Sequence, residues 1–268
     1  MLPHSGILKY NDNAIHCLRM GSGSKLLIAF HGFGNDAAIF APLAKLLQEE
    51  YTMVSIDLPG HGLTQWKDPY FRKKDLMAIV QGIRNDFGTE RVSLLGYSLG
   101  GRICLNIVEQ QPNWIEKIVL LAPDGLEKNF WYHFATRNPI GKIGFRNMMQ
   151  APEKWLGRVD FLRKFRIIDE SRFKFAVRNL TDETVRHQLS YVWPVTSKLI
   201  VNIAAVKWNL NKYKVETHLF MGKHDRIFPP AQGERFVRNL KQAKLHLMDT
   251  GHNLLGAEQL PDIRQALL

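Results

Sequence analysis

Short apolar runs alternate along the chain with stretches whose apolar residues recur at helical spacing. "GILKY" (Gly6–Tyr10) and "AIHCLRM" (Ala14–Met20) read as an opening β-hairpin. "KLLIAF" (Lys25–Phe30) is apolar after its first residue, the pattern of a strand buried on both faces. "IFAPLAKLLQEE" (Ile39–Glu50) takes helical spacing, and "YTMVSID" (Tyr51–Asp57) returns to strand. The exchange then repeats. "DLMAIVQGIRNDF" (Asp75–Phe87) predicts a helix, "RVSLLGY" (Arg91–Tyr97) a strand, "LGGRICLNIVEQQ" (Leu99–Gln111) a helix and "IEKIVLLAP" (Ile115–Pro123) a strand. Such alternation predicts an α/β fold: a mostly parallel central sheet with helices on both faces.

After Pro123 the alternation stops. Residues 124–205 are richer in aromatic and charged residues, with helix-like stretches such as "WLGRVDFLRKFRI" (Trp155–Ile167) and no buried strand pattern. The strand pattern resumes at "VETHLFMG" (Val215–Gly222). A helix follows in "PPAQGERFVRNLKQ" (Pro229–Gln242), a strand in "AKLHLMD" (Ala243–Asp249) and a closing helix in "QLPDIRQALL" (Gln259–Leu268). The expected organisation is a core of residues 1–123 and 206–268, interrupted by a helical insertion over 124–205.

Composition narrows the class of protein. A chain of 268 residues, 45% hydrophobic and 23% charged, can bury one large core and fits a soluble enzyme. No apolar run approaches the ~18 residues of a membrane span, and the first residues resemble no secretory leader. Cys17 and Cys104 alone make neither a disulfide framework nor a metal cluster. A cytoplasmic protein needing no metal or organic cofactor is expected. The net charge of +11 raises the question of nucleic acid, yet the cations form no tail or dense block. Between 124 and 205, 14 Lys+Arg stand against 8 Asp+Glu, so the surplus is a basic middle segment. The expected partner is a small-molecule substrate, an anionic one among the options, and not nucleic acid; the oligomeric state is left open.

Open α/β sheets bind ligands outside the carboxyl ends of their strands. The residues following the strands here are "HGFGND" (His31–Asp36), "LPGHG" (Leu58–Gly62), Ser98, "KHDRIF" (Lys223–Phe228) and "TGHN" (Thr250–Asn253). Gly96-Tyr97-Ser98-Leu99-Gly100 sits between a strand and a helix, where Gly-x-Ser-x-Gly allows a sharp turn that presents the hydroxyl at a helix N-terminus. A serine nucleophile needs a base, and the base an orienting acid. His252 and Asp225 follow the last two strands and fit these roles. His31 reads as a loop-ordering residue, His61 as part of a turn and His224 as a neighbour of the acid. Asp124 competes for the acid role, with Asp225 favoured.

The segments "HGFG", "DLPGHG", "GYSLGG", "GKHDRIFPP" and "TGHN", in this order, resemble the α/β-hydrolase-fold family over nearly the full chain. The resemblance implies a serine hydrolase of carboxylic esters or related acyl compounds working through an acyl-enzyme. Ser98 would attack, His252 would relay the proton and Asp225 would orient it. It also implies an oxyanion hole from the backbone N–H groups of Phe33 and Leu99. In the family the insertion is a variable lid, and Phe130 and Trp131 in "NFWYHF" are candidate substrate contacts, against the plainer option that they pack the lid. "GYSLGGR" also resembles the menaquinone-pathway lyases that make 2-succinyl-6-hydroxy-2,4-cyclohexadiene-1-carboxylate, in which arginines hold substrate carboxylates. That makes Arg102 a candidate anion-binding residue. The alternative for Arg102 is a pair with a neighbouring acid.

Overall fold

Each continuous apolar run becomes a strand whose alternate side chains enter two separate cores. The structure is a computed structural model that describes residues 3–165, Phe173, Val177 and 180–268. It opens with the antiparallel hairpin β1 (His4–Tyr10) and β2 (Asn13–Met20), in whose turn Asn11 takes φ 50°. Tight two-residue hairpin turns require this left-handed conformation, which asparagine tolerates. β3 (Lys25–Phe30), β4 (Tyr51–Ile56), β5 (Val92–Tyr97), β6 (Ile115–Leu121), β7 (Glu216–Gly222) and β8 (Ala243–Met248) complete the sheet. Among the described residues the order is β1-β2-β4-β3-β5-β6-β7-β8. β2 runs antiparallel to β4, and every pair from β4 to β8 is parallel.

Helices cover both faces. On one, α1 (Ala41–Leu47) and α10 (Leu260–Leu267) share a core with Leu27, Ala29, Met53, Leu95, Val119 and Phe220. The side chains between these point the other way, toward α2 (Lys73–Phe87), α3 (Leu99–Gln110), α8 (Ile203–Lys212) and α9 (Pro230–Val237). α2 shows why its sequence makes a helix. Leu76, Ile79, Val80 and Ile83 fall on one buried stripe, each worth about 1.5–3 kcal/mol of burial, and Gly88 closes the helix at φ 70°.

The chain divides into two compact units, residues 1–127 with 198–268, and residues 128–197. The second is helical: α4 (Phe130–Arg137), α5 (Pro139–Gln150), α6 (Pro152–Lys164) and α7 (Glu183–Thr196). Asn129, Asn138 and Asp182 cap α4, α5 and α7 by accepting from N–H groups of the first turns. Tyr132 of α4 and Phe145 of α5 both pack on the Trp193 ring of α7, with centroids 5.4 and 5.3 Å away. The helix expected from Trp155 forms as part of α6, while residues 166 and 167 of that stretch lie outside the described residues.

The helical unit is shorter at both ends than the expected 124–205. Asp124 is tied into the first unit by its N–H, which donates to the Ser98 carbonyl, and by its carboxylate, which pairs with Arg102. At the other end α8 belongs to the sheet's covering layer, because Asn209 Nδ2 donates to the carbonyls of Val108 and Glu109 at 3.0 and 3.1 Å. Among the described residues no helix is long and apolar enough to cross a membrane.

Candidate active site

Parallel pairing gathers the candidate segments. Gly96 of β5 lies opposite Phe30 of β3, Tyr97 opposite Leu121 of β6, Leu121 opposite Phe220 of β7 and Gly222 opposite Met248 of β8. Their carboxyl ends therefore share one edge of the sheet, and the chain leaves that edge through His31, Ser98, Lys223 and Asp249.

Ser98 links β5 to α3 at φ 51° and ψ −114°, a region that costs a non-glycine residue about 1–3 kcal/mol. The surroundings hold it there. Its N–H donates to the Leu121 carbonyl at 2.9 Å, and its own carbonyl accepts from Gly101 and Asp124 N–H at 2.8 and 2.9 Å. The flanking glycines are required by contact. A Cβ on Gly96 would stand 2.6 Å from the Gly100 carbonyl oxygen and 2.8 Å from Cys104 Sγ, and one on Gly100 would overlap the Phe30 carbonyl. Only glycine lets β5, α3 and β3 approach this closely.

Ser98 Oγ lies 3.0 Å from His252 Nε2, and His252 Nδ1 lies 2.8 Å from Asp225 Oδ2. With the ring proton on Nδ1 donated to the carboxylate, Nε2 is left with a lone pair facing the serine hydroxyl. The other Asp225 oxygen accepts from Ile227 and Phe228 N–H at 2.8 and 3.0 Å, which fixes the carboxylate's orientation. Asp225 is buried. Asp124, the rival acid, is engaged by Arg102, and His224 pairs with Asp249 on the surface.

Two residues that the motifs did not single out hold the imidazole. The Tyr97 ring lies 5.5 Å from the His252 ring and its hydroxyl donates to the His252 carbonyl at 3.4 Å. Burial, with Asp225 nearby, pushes the Tyr97 phenol up to about 12, so it stays a neutral donor. Phe228 packs on the ring at 5.5 Å. Tyr97 is the variable residue of Gly-x-Ser-x-Gly, and its place in an apolar strand gave no sign of this second contact.

The turn after β3 stands against the serine: a Cβ on Gly32 would lie 3.1 Å from Ser98 Cβ. Two buried neutral histidines tie the turn down. His31 Nδ1–H donates to the Gly32 carbonyl at 2.8 Å and its Nε2 accepts from Leu58 N–H at 3.0 Å. His61 Nε2 accepts from Gly34 N–H at 3.2 Å while its Nδ1–H donates to the Pro59 carbonyl. Burial lowers the His31 pKa, and burial together with His31 lowers that of His61 to about 4. Leu99, the first residue of α3, has no intrahelical acceptor for its N–H. The Phe33 N–H takes no partner among the described residues.

The remaining candidates stand apart from this chain of hydrogen bonds. Arg102 is 8% exposed, its guanidinium on the Asp124 carboxylate. Phe130 and Trp131 are 68% and 69% exposed and pack edge-on against each other at 5.5 Å. A second serine relay lies elsewhere: Ser5 Oγ is 2.9 Å from His16 Nε2, and His16 Nδ1 is 2.7 Å from Asp57 Oδ2. Ser5, however, sits within strand β1, with neither a strained turn nor a helix N-terminus behind it.

Comparison with known proteins agrees with this architecture. A family model described as serine aminopeptidase, S33, matches residues 21–259. The hydrolase YugF of Bacillus subtilis (strain 168) is 25% identical over 253 residues, covering 90% of this chain and 87% of its own. A pimeloyl-[acyl-carrier protein] methyl ester esterase of Legionella pneumophila (strain Corby) is 30% identical over 105 residues, 39% of this chain and 40% of its own. A solved hydrolase from Pseudomonas aeruginosa PA01 superposes with a TM-score of 0.69 at 17% identity, covering 98% of this chain and 97% of that one. The fold is that of the α/β-hydrolases.

Proposed function

The chain belongs to the serine aminopeptidase, S33 family across residues 21–259, and on that footing we propose that it is a serine hydrolase of carboxylic esters or related acyl compounds. The observation that carries the proposal is the unbroken series Ser98 Oγ, His252 Nε2, His252 Nδ1 and Asp225 Oδ2, with gaps of 3.0 and 2.8 Å. In this reading Ser98 Oγ attacks the acyl carbon as its proton passes to His252 Nε2. Asp225 holds the imidazole in the right tautomer and stabilises the imidazolium. The oxyanion is received by the N–H groups of Phe33 and Leu99, where loss of one donor typically costs about 2.7–4 kcal/mol of barrier. The leaving alkoxide takes the proton from His252, and water, activated by the same ring, releases the acyl group from Ser98.

Ester rather than amide chemistry is supported by the likeness to the Legionella methyl ester esterase. A cytoplasmic setting is in keeping with Cys17 and Cys104, both buried free thiols. The helical unit is proposed as the cap that varies with substrate. The Arg102 guanidinium, which carried the likeness to the menaquinone-pathway lyases, is engaged by Asp124, and this favours the hydrolase.

The test is a fluorophosphonate probe with the adduct mapped by mass spectrometry, because Ser5 shows the same hydrogen-bond pattern. The expected adduct is on Ser98, and Ser98→Ala abolishes both it and turnover of p-nitrophenyl esters. A Ser98→Ala protein that still turns over esters at the wild-type rate overturns the assignment. Turnover of aminoacyl anilides without esters in the same panel would move the reaction to amides.

A further inference from the structure

The helical unit carries exposed apolar side chains. α4 buries Tyr132 and Thr136 while Phe130, Trp131 and Phe134 stand 68%, 69% and 37% exposed. α5 buries Gly141, Phe145 and Met149 while Ile140 and Ile143 stand 75% and 54% exposed. Tyr132 and Phe145 both meet Trp193, so the two helices turn their buried faces to α7 and the five exposed side chains away from it. Water surrounds an aromatic and aliphatic ridge that a folded domain ordinarily hides.

Charge says what fits on it. Arg137, Lys142 and Arg146 occupy exposed positions of the same two helices, and neither helix contains an Asp or Glu. Across residues 128–197, thirteen Lys+Arg face six Asp+Glu, which places +7 of the chain's +11 in this unit. A second copy of the chain is a poor occupant, since isologous pairing would set these cations against their own copies. Trp and Phe at the level of lipid headgroups, flanked by Lys and Arg, are the chemistry of a helix lying in the interface of an anionic bilayer. We propose that the α4–α5 hairpin docks the protein on anionic phospholipid surfaces. The proposal does not depend on Ser98, so it stands or falls separately from the hydrolase assignment.

The experiment uses the full chain carrying Ser98→Ala, which leaves the lipid intact. It is sedimented with vesicles of phosphatidylcholine alone or with phosphatidylglycerol added. Binding to the anionic vesicles is expected to be at least tenfold tighter, to weaken as salt is raised, and to blue-shift tryptophan emission. Trp131→Phe should lose the blue shift. Trp131→Ser/Ile140→Ser and Lys142→Glu/Arg146→Glu should each weaken binding at least tenfold, with melting temperatures as the check on folding. Should a variant melt early, quenching of Trp131 by brominated lipid, read as wild type minus Trp131→Phe, decides alone. Equal binding to both vesicle types, no binding, or emission unchanged by Trp131→Phe would overturn the proposal. So would a concentration-dependent dimer that the Trp131→Ser/Ile140→Ser variant dissolves in the absence of vesicle binding.

Discussion

Arg102→Ala separates the two chemistries that this sequence suggests. The side chains of Arg102 and Asp124 are 10% and 14% exposed, so truncating the arginine strands a carboxylate that water barely reaches. Breaking a buried pair from one side costs about 3–5 kcal/mol, and the residual exposure of this one places it near about 3 kcal/mol. For a chain of this size each kcal/mol lowers the melting temperature by about 2–4 °C, so a fall of roughly 6–12 °C is expected. The damage should reach Ser98, because Asp124 N–H donates to the Ser98 carbonyl and helps hold the turn. Turnover should therefore fall by a similar factor on neutral and carboxylate-bearing p-nitrophenyl esters. Arg102→Ala/Asp124→Ala should recover part of the lost stability, since neither charge is then left alone. Thermal melts by circular dichroism and paired kcat/KM values supply the assay. An unchanged melting temperature, with a tenfold or greater loss confined to carboxylate substrates, would refute this reasoning and make Arg102 the anion site of a lyase.

Asp225→Asn should lower ester kcat by about 10⁴-fold with the fold intact, because the wrong tautomer then faces Ser98, whereas Asp124→Asn should act on the melting temperature instead. The reverse outcome would transfer the acid role to Asp124. His61 gives a pH dependence whose direction follows from its lowered pKa of about 4. The unfolded chain takes up that proton first, near the ordinary value of about 6.5, so the stabilisation is complete above that pH. It falls by about 3 kcal/mol as pH drops from 6.5 to 4, and urea midpoints for wild type and His61→Asn measure it. A variant that keeps the full slope would show that the proton goes elsewhere.

What the sequence made legible depends on how local each constraint is. The parallel sheet was readable because strands buried on both faces are mostly apolar, as β3 is after Lys25 and β5 is apart from Ser93. Ser98 and the flanking glycines were readable because close contacts among β5, α3 and β3 tolerate no Cβ at Gly96 or Gly100. The boundary near 205 was not. α8 has the same helical spacing as the insertion, and it is long-range contacts, such as the reach of Asn209 to α3 and of Lys207 to the Arg238 carbonyl, that assign it to the other unit. Arg102 was open for a similar reason: its sequence position allows both an anion and an acid, and the choice rests on Asp124, 22 residues away.

The chain contains its own control for what a hydrogen-bonded serine relay can say. Ser5, His16 and Asp57 reproduce the atom pattern of Ser98, His252 and Asp225 at 2.9 and 2.7 Å, slightly shorter than the 3.0 and 2.8 Å of the proposed site. Distances therefore do not distinguish the two. The backbone does. Ser98 sits at φ 51° at the N-terminus of α3 with the Gly32 turn against it, so in the proposed reading charge appearing on a substrate oxygen meets the positive end of the helix. Ser5 lies in the outermost strand of the sheet, with its neighbours' N–H and carbonyl groups paired across the hairpin to β2. A proton acceptor beside Ser5 lowers the cost of removing its proton but gives no help to the oxyanion, which is where most of the rate enhancement arises. Reactivity toward the phosphonate probe should follow the strained turn rather than the relay, with Ser98 modified at least a thousandfold faster than Ser5. Comparable rates would mean that the turn contributes little and that the argument from Gly-x-Ser-x-Gly is misplaced.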